Sequence, residues 1–334
     1  MQSIGNLAQH LLLRHQNKYL RTDVLSASKE LATGLSSDPA QHLEGNFSEL
    51  ASLQLNLRRL ETYSLNAGET KLTLNAATAA ISSLSDMTGD LANRIASLND
   101  TIYATSAKSI SHMALQNFQS AVNALNTNIA GKAVFAGARL DQNPLLSADQ
   151  MLSDVAEYVA EHADPATFAQ TVQDWFMSSG GGFETNGYRG SITSAQPIEV
   201  SAEARIDFNL RANDEALRGT LANLATIALL SQDSHSLSSK ERQHVISQTL
   251  PNLVASQEKL TELEALLGGS IEYLDQAIAS NESARAASEM AVTEALSVDQ
   301  YEAATRLEAI TTQLESLYLI TAKLNRLSLM DYLS

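Results

Sequence analysis

Apolar residues recur along two long stretches of the chain in alternating steps of four and three. From Leu53 the series runs through Leu57, Leu60, Ser64, Ala67, Lys71, Leu74, Thr78 and Ile81. It takes one extra step of three to Leu84 and resumes at Thr88, Leu91, Ile95, Leu98 and Ile102. A seam repeating every 3.5 residues marks helices packed along their length, and the doubled step of three overwinds it locally. Ser64, Lys71, Thr78 and Thr88 thin the seam, which predicts more than one packing neighbour. A second helix follows, with Ala114, Phe118, Ala121, Leu125 and Ile129 on one face and Gly131 as its stop. The rhythm returns at Leu253, Gln257, Leu260, Glu264, Leu267, Ile271, Leu274, Ile278, Asn281, Arg285, Ser288, Val292 and Ala295. It breaks near Ser297-Val298-Asp299, and a last helix carries Leu307, Ile310, Leu314, Leu317, Thr321 and Leu324, with Leu327 nearby.

The middle is patterned differently. Ala148–Ala163, Ala166–Met177 and Asn213–Leu230 read as helices, Ser178–Gly182 as a linker, and Tyr188–Thr193, Ile198–Val200 and Arg205–Phe208 as short strands. Proline, which is costly inside a helix, is missing between Pro39 and Pro144 and after Pro251. Trp175, the only tryptophan, lies in the middle with Phe168, Phe176, Phe183, Tyr188 and Phe208. The expected fold is therefore mainly α: a long antiparallel coiled-coil-like helical bundle formed by the N- and C-terminal regions, with an inserted small α+β middle domain. The boundaries fall at residues 1–40 (N-terminal helix), 41–140 (N-terminal part of the bundle), 141–215 (inserted domain), 216–298 (C-terminal part of the bundle) and 299–334 (C-terminal helix). The central seams, Leu53–Ile102 and Leu253–Val292, are expected to pack within one chain. The seams of the two ends are expected to pack between chains, because least protein is there to bury them and a short lone helix is marginal in water.

Charge and composition narrow the function. Lys and Arg number 22 against 38 Asp and Glu, a net charge of −16, which does not suit gripping nucleic acid or anionic lipid over the whole surface. There is no cysteine, which excludes disulfides, thiolate zinc sites, iron–sulfur clusters and cysteine nucleophiles. No apolar run reaches the ~18 residues of a membrane span. Leu11-Leu12-Leu13 stops at Arg14, short of the ~7 residues a cleavable signal needs. The chain is expected to stay in the cytoplasm or to leave the cell by a route that reads no such signal. Candidate chemistry is sparse. His10, His15, His42, His112, His162, His235 and His244 include no pair four apart around a glutamate. Gly180-Gly181-Gly182 and Gly131-Lys132 lack the spacing of nucleotide loops. Glu262 with Glu264, and Asp233 with Glu241, read as solvated faces, and the Asn46, Asn99 and Asn281 sequons as chance. No catalytic, cofactor-binding or metal-binding residue is expected, and no cofactor.

Three segments resemble one family. Leu31-Ala32-Thr33-Gly34-Leu35-Ser36-Ser37-Asp38-Pro39 is similar to an N-terminal turn of flagellin and its axial relatives. Gly131-Lys132-Ala133-Val134-Phe135-Ala136-Gly137, continued by Leu140-Asp141-Gln142-Asn143-Pro144, resembles the motif that ends the N-terminal helical part in the family's branch at the hook–filament junction. Tyr301–Leu307 and Leu327–Leu333 resemble the shared C-terminal helix. Gly34, Asp38, Pro39, Gly131, Phe135 and Gly137 are the motif residues. The resemblance covers roughly residues 1–145 and 210–334. It implies a non-enzymatic structural part of the bacterial flagellum, exported unfolded by the flagellar type III apparatus. It implies terminal helices, residues 1–40 and 299–334, that are disordered in the monomer and form an inner coiled-coil tube on assembly. The implied partners are a neighbouring hook-associated protein, flagellin, copies of the same chain in a ring and a cytosolic export chaperone, with no nucleic acid and no membrane insertion. The contact residues then expected are Leu7, Leu11, Val24, Leu31, Leu307, Ile310, Leu314, Leu317, Leu324 and Leu327. A filament flagellin and a secreted coiled-coil protein of a virulence secretion system are the alternative readings.

Overall fold

The computed structural model describes the backbone of residues 2–98, 100–231 and 237–333; side chains of residues 1–7, 9, 10, 99–105, 232–236, 325 and 327–334 lie outside the described set. The chain is mainly α, with long helices packed on one another. The elements in order are α1 (Gln2–Thr33), α2 (Pro39–His42), α3 (Ser48–Ala96), α4 (Asp100–Leu125), β1 (Asn128–Ile129), β2 (Lys132–Ala133), α5 (Ala148–His162), α6 (Phe168–Met177), β3 (Ile198–Glu199), β4 (Arg205–Ile206), α7 (Glu215–Ala228), α8 (Ser239–Leu296) and α9 (Gln300–Leu333). They divide into two units, one of Met1–Glu61 with Glu282–Ser334 and one of Thr62–Asn281. Both α3 and α8 contribute to each.

The Thr62–Asn281 unit holds the large apolar core, which runs from Ala67 to Ala277. On α3 the expected seam is the buried one: Ala67, Leu74, Ile81, Leu84, Thr88, Leu91 and Ile95 are all buried, while Ser64 is exposed. Lys71, the charged member, reaches Asp275 of α8 at 2.6 Å. On α8 the leucines of the expected seam, Leu253, Leu260, Leu267 and Leu274, are buried. The Lys71–Asp275 pair and the approach of Gln257 to Gly89 set an antiparallel register for these stretches. Around α7, which packs on α4 and α6, the aromatic side chains form a connected cluster. Phe118 meets Phe176 edge-on with ring centres 6.5 Å apart, Trp175 meets Phe176 at 4.7 Å, and Phe183 lies 5.6 Å from Phe176 and 6.4 Å from Tyr188. Such pairs add about 0.5–1.5 kcal/mol each beyond their buried area. Burial pushes the Tyr188 hydroxyl up to about 12, and that hydroxyl donates to the Ser191 carbonyl at 2.8 Å.

Several local expectations are corrected. The Leu53–Ile102 seam is not one helix: α3 ends at Ala96, and Ile102, whose side chain lies outside the described residues, belongs to α4. The four-residue step from Leu125 to Ile129 is a coincidence of spacing. Ile129 pairs with Lys132 across a two-residue turn, and Ala130 and Gly131 sit at φ 50° and 82°. Two consecutive left-handed residues make the tight turn whose twist suits a hairpin, so Gly131 turns a hairpin rather than stopping a helix. Tyr188–Thr193 is no strand; only Tyr188 bridges, to Leu145. Ser178–Gly182 is not a free linker, because Gly182 lies hard against the Trp175 indole. Helix α8 runs through Pro251. Buried Val245, Ile246 and Thr249 before the proline and Leu253 after it hold both sides against the core, which outweighs the lost hydrogen bond. Asn281 is buried and donates to the Val200 carbonyl at 2.6 Å.

Candidate assembly surface

The Met1–Glu61 and Glu282–Ser334 unit is built around the two ends of the chain. Helices α1 and α9 pack on each other. Two cross-links set an antiparallel register: Arg306 Nη2 meets Glu30 Oε2 at 2.9 Å, and Arg21 Nη2 donates to the Tyr318 hydroxyl at 2.9 Å. That donation, first, and one from Asn17 hold the Tyr318 hydroxyl below the usual tyrosine range. Along α9, Ala303 and Leu317 are buried and Leu307, Ile310, Leu314, Thr321 and Leu324 are half-buried, in steps of four and three. Along α1 the matching stripe is Leu13, Asn17, Leu20, Val24, Ala27 and Leu31, with Leu20 and Ala27 buried. The seams expected to pack between chains thus cover each other within one chain. Val24, Leu31, Leu307, Ile310, Leu314, Leu317 and Leu324 all lie on this shared face. Leu11 does not: it is 58% exposed, and Leu13, which sequence reasoning passed over, takes the seam position. The Leu7 and Leu327 side chains lie outside the described residues.

A two-helix seam leaves large apolar side chains outside. Leu11, Leu12, Tyr19 and Leu25 on α1, and Leu319 and Ile320 on α9, are all more than half exposed. Exposed apolar side chains are ordinary one by one; here six of them fall on the one pair of helices.

The turn after α1 fastens this pair. Gly34, at φ 72°, ends α1 with its N–H on the Glu30 carbonyl at 2.8 Å, as left-handed glycines commonly do. The chain then pairs with the α8–α9 connection: Ser36 N–H donates to Leu296 O at 2.8 Å and Val298 N–H to Gly34 O at 2.9 Å. Asp38 Oδ1 accepts from the Ala40 and Gln41 amides at 3.0 and 3.2 Å, and Pro39 takes the first turn of α2. Motif residues Gly34, Asp38 and Pro39 therefore shape one junction.

Glu30, only 4% exposed, is the centre of this junction and had no signal in the sequence. Its Oε1 accepts from the Ser37 amide at 3.0 Å and the Ser37 hydroxyl at 2.7 Å. Burial alone would raise its pKa; the Ser37 amide and hydroxyl, the Arg306 charge and His42 outweigh burial and hold it below the usual carboxylate range. A depressed carboxylate stabilises the fold above its unfolded-state pKa and loses that contribution as pH falls through the folded value. We therefore expect Glu30→Gln to weaken the junction by roughly 1.5–3 kcal/mol at neutral pH. With α1 and α9 paired, as they are here, the Gly34–Ser37 amides would then exchange faster with solvent. The wild type would approach the variant only below the usual carboxylate range; equal exchange of the two proteins at pH 7 would refute the assignment.

The second motif closes the base of the middle region in the other unit. Phe135 is fully buried, and its carbonyl accepts from the Ala212 amide at 2.9 Å. Gly137 sits at φ 62° with the chain folded over it: Ser191 N–H donates to Ala136 O at 2.8 Å and Ala138 N–H to Thr193 O at 3.0 Å. Within the described residues no group of three or more His, Asp or Glu could hold a metal ion, and no described helix is long and apolar enough to cross a membrane.

No protein-family model matches the chain, and no curated protein does. The solved structure of a "putative flagellar hook-associated protein" from Vibrio parahaemolyticus is similar to it at a TM-score of 0.40 and 12% sequence identity, over 81% of this chain and 95% of that one.

Proposed function

We propose that the chain is a structural component of the bacterial flagellum, the hook–filament junction protein, forming an adaptor ring on which flagellin polymerises. One observation carries this reading. The two ends of the chain pair with each other and still leave six large apolar side chains more than half exposed, Leu11, Leu12, Tyr19 and Leu25 with Leu319 and Ile320. Copies of the chain in a ring would cover them. Each leucine or isoleucine so buried contributes about 1.5–3 kcal/mol before ordering costs, and many subunits joined in a ring add avidity. The motif residues support the reading: Gly34 and Gly137 take left-handed backbone that favours glycine, Asp38 caps α2 and Phe135 is buried.

In this reading the protein has no enzymatic role. Residues 1–40 and 299–334 gain stable order only on assembly, and the α9 face is shielded before export by a cytosolic chaperone. The neighbours in place are a hook-associated protein on one side and flagellin on the other. Deletion of the gene tests it, read by electron microscopy of the cells and an immunoblot of the medium for flagellin. Bare hooks with flagellin lost to the medium are expected. Intact filaments would overturn the junction role.

A further inference from the structure

We propose that Gly268-Gly269 is a hinge built into α8, a point at which this 58-residue helix opens and bends. The glycines are adjacent, well inside the helix, and both exposed. A glycine in a helix interior is less favourable than alanine, because it has more backbone freedom to lose and shields the backbone less from water. Gly89 of α3 has a packing reason, since a Cβ there would fall 2.6 Å from Gln257 Nε2. Gly268 and Gly269 have none, since a Cβ at either position would meet nothing within 4 Å. Gly68 of α3 and Gly219 of α7 have open space like the α8 pair, but each stands alone, whereas Gly268 and Gly269 weaken two successive positions of one turn. Alanine would fit without strain and would strengthen the helix, so the pair weakens α8 with no packing return.

The surroundings confine the weakness to one turn. Leu260 and Leu267 anchor the helix to the core on one side of the pair, and Leu274 and Ala277 on the other. Gly/Ser-rich points are where long helices bend sharply, and Ser270 follows directly. Local opening at low cost is how a folded protein obtains motion without unfolding globally.

The chain has no cysteine, which makes the test clean. Glu258→Cys with Gln276→Cys places two spin labels on one side of α8, 18 residues apart, so a straight helix holds their backbone positions about 27 Å apart. In the wild-type background a broad distance distribution with a shorter component is expected. In the Gly268→Ala/Gly269→Ala background it should narrow to a single peak. Hydrogen exchange on the unlabelled proteins is the second measurement. Amides of residues 266–273 should exchange faster than those of the adjoining turns in the wild type, and the double alanine variant should slow them about 5–30-fold. Because neither added methyl meets an atom, the variant is expected to fold and to melt at a higher temperature. A single narrow distance peak in the wild type, or exchange at residues 266–273 no faster than in the neighbouring turns, would overturn the hinge. Neither measurement depends on flagellar assembly, so the hinge and the proposed function fail separately.

Discussion

Gly137→Ala is expected to destabilise the Thr62–Asn281 unit by about 2–5 kcal/mol, a large share of an ordinary domain's stability. Two separate costs add. Gly137 sits at φ 62°, where any residue with a Cβ is strained by roughly 1–2 kcal/mol. The new methyl would also lie 2.6 Å from Ser191 O and 2.7 Å from Thr193 O. Both are backbone atoms, so the 191–193 segment must move as a whole. Moving it breaks the Ser191-to-Ala136 and Ala138-to-Thr193 hydrogen bonds, each worth about 0.5–1.5 kcal/mol net. Gly131 supplies the control. It too has a left-handed backbone, at φ 82°, but a Cβ there would meet nothing within 4 Å. Gly131→Ala should therefore cost only the strain. Urea unfolding of the two variants separates conformation from crowding: equal losses would mean that the 191–193 segment does not press on Gly137 in solution.

How much of this was legible in the sequence depends on the distance over which each feature is written. Periodic burial is local and was readable. Leu74, Ile81, Leu84, Leu260, Leu267 and Leu274 were placed on buried faces by spacing alone, and the weak point Lys71 sits half-buried on the seam, while Ser64 falls outside it. Where periodicity misled, a short-range coincidence was responsible. The step from Leu98 to Ile102 crosses a helix end, and the step from Leu125 to Ile129 runs into a hairpin that Ala130 and Gly131 turn. A four-residue spacing cannot show that the chain has changed direction between its members. Pro251 gave no sign that the helix also extends before it, because its propensity is outweighed by core contacts on both sides.

The contacts that build the candidate surface are written at long range, and single-sequence reasoning does not reach them. Glu30 and Arg306 are 276 positions apart, and nothing near Glu30 marks it as buried. The pairing of α1 with α9 follows the same logic. The α9 stripe was visible in the sequence and on α1 only Val24 and Leu31 of the stripe were; that each covers the other depends on the turn at Gly34–Asp38 meeting the connection at Leu296–Val298. The motif residues were recognised by resemblance, while their work became visible only with the partners in place: Asp38 on two amides, Gly137 beneath two carbonyls.

Leu314→Asp combined with Leu317→Asp is expected to separate α1 from α9 and to block incorporation into the flagellum while leaving the Thr62–Asn281 unit folded. Leu317 is 6% exposed and Leu314 half-buried, and each leucine contributes about 1.5–3 kcal/mol when fully buried. An aspartate in their place removes that contribution and sets two carboxylates, with no cation on α1 assigned to them, on an apolar seam. Polar contacts accompany the seam, Glu30–Arg306 at one end and Arg21–Tyr318 near its middle, beside Leu317. The core that runs from Ala67 to Ala277 contains no α9 residue, so its urea transition should not shift. Thr312→Asp, at an exposed position of the same helix, controls for charge alone and should incorporate normally. Hydrogen exchange on the isolated proteins reads the same seam directly. If the terminal helices gain order only on assembly, amides before about Leu35 and after about Asp299 exchange fast in the wild-type monomer and in the double variant alike. Strong protection there in the wild type would show that the α1–α9 pair is stable alone. Incorporation of the double variant at the wild-type level would remove these helices from the assembly contact altogether, because no ring could close over apolar side chains that the variant no longer holds in place.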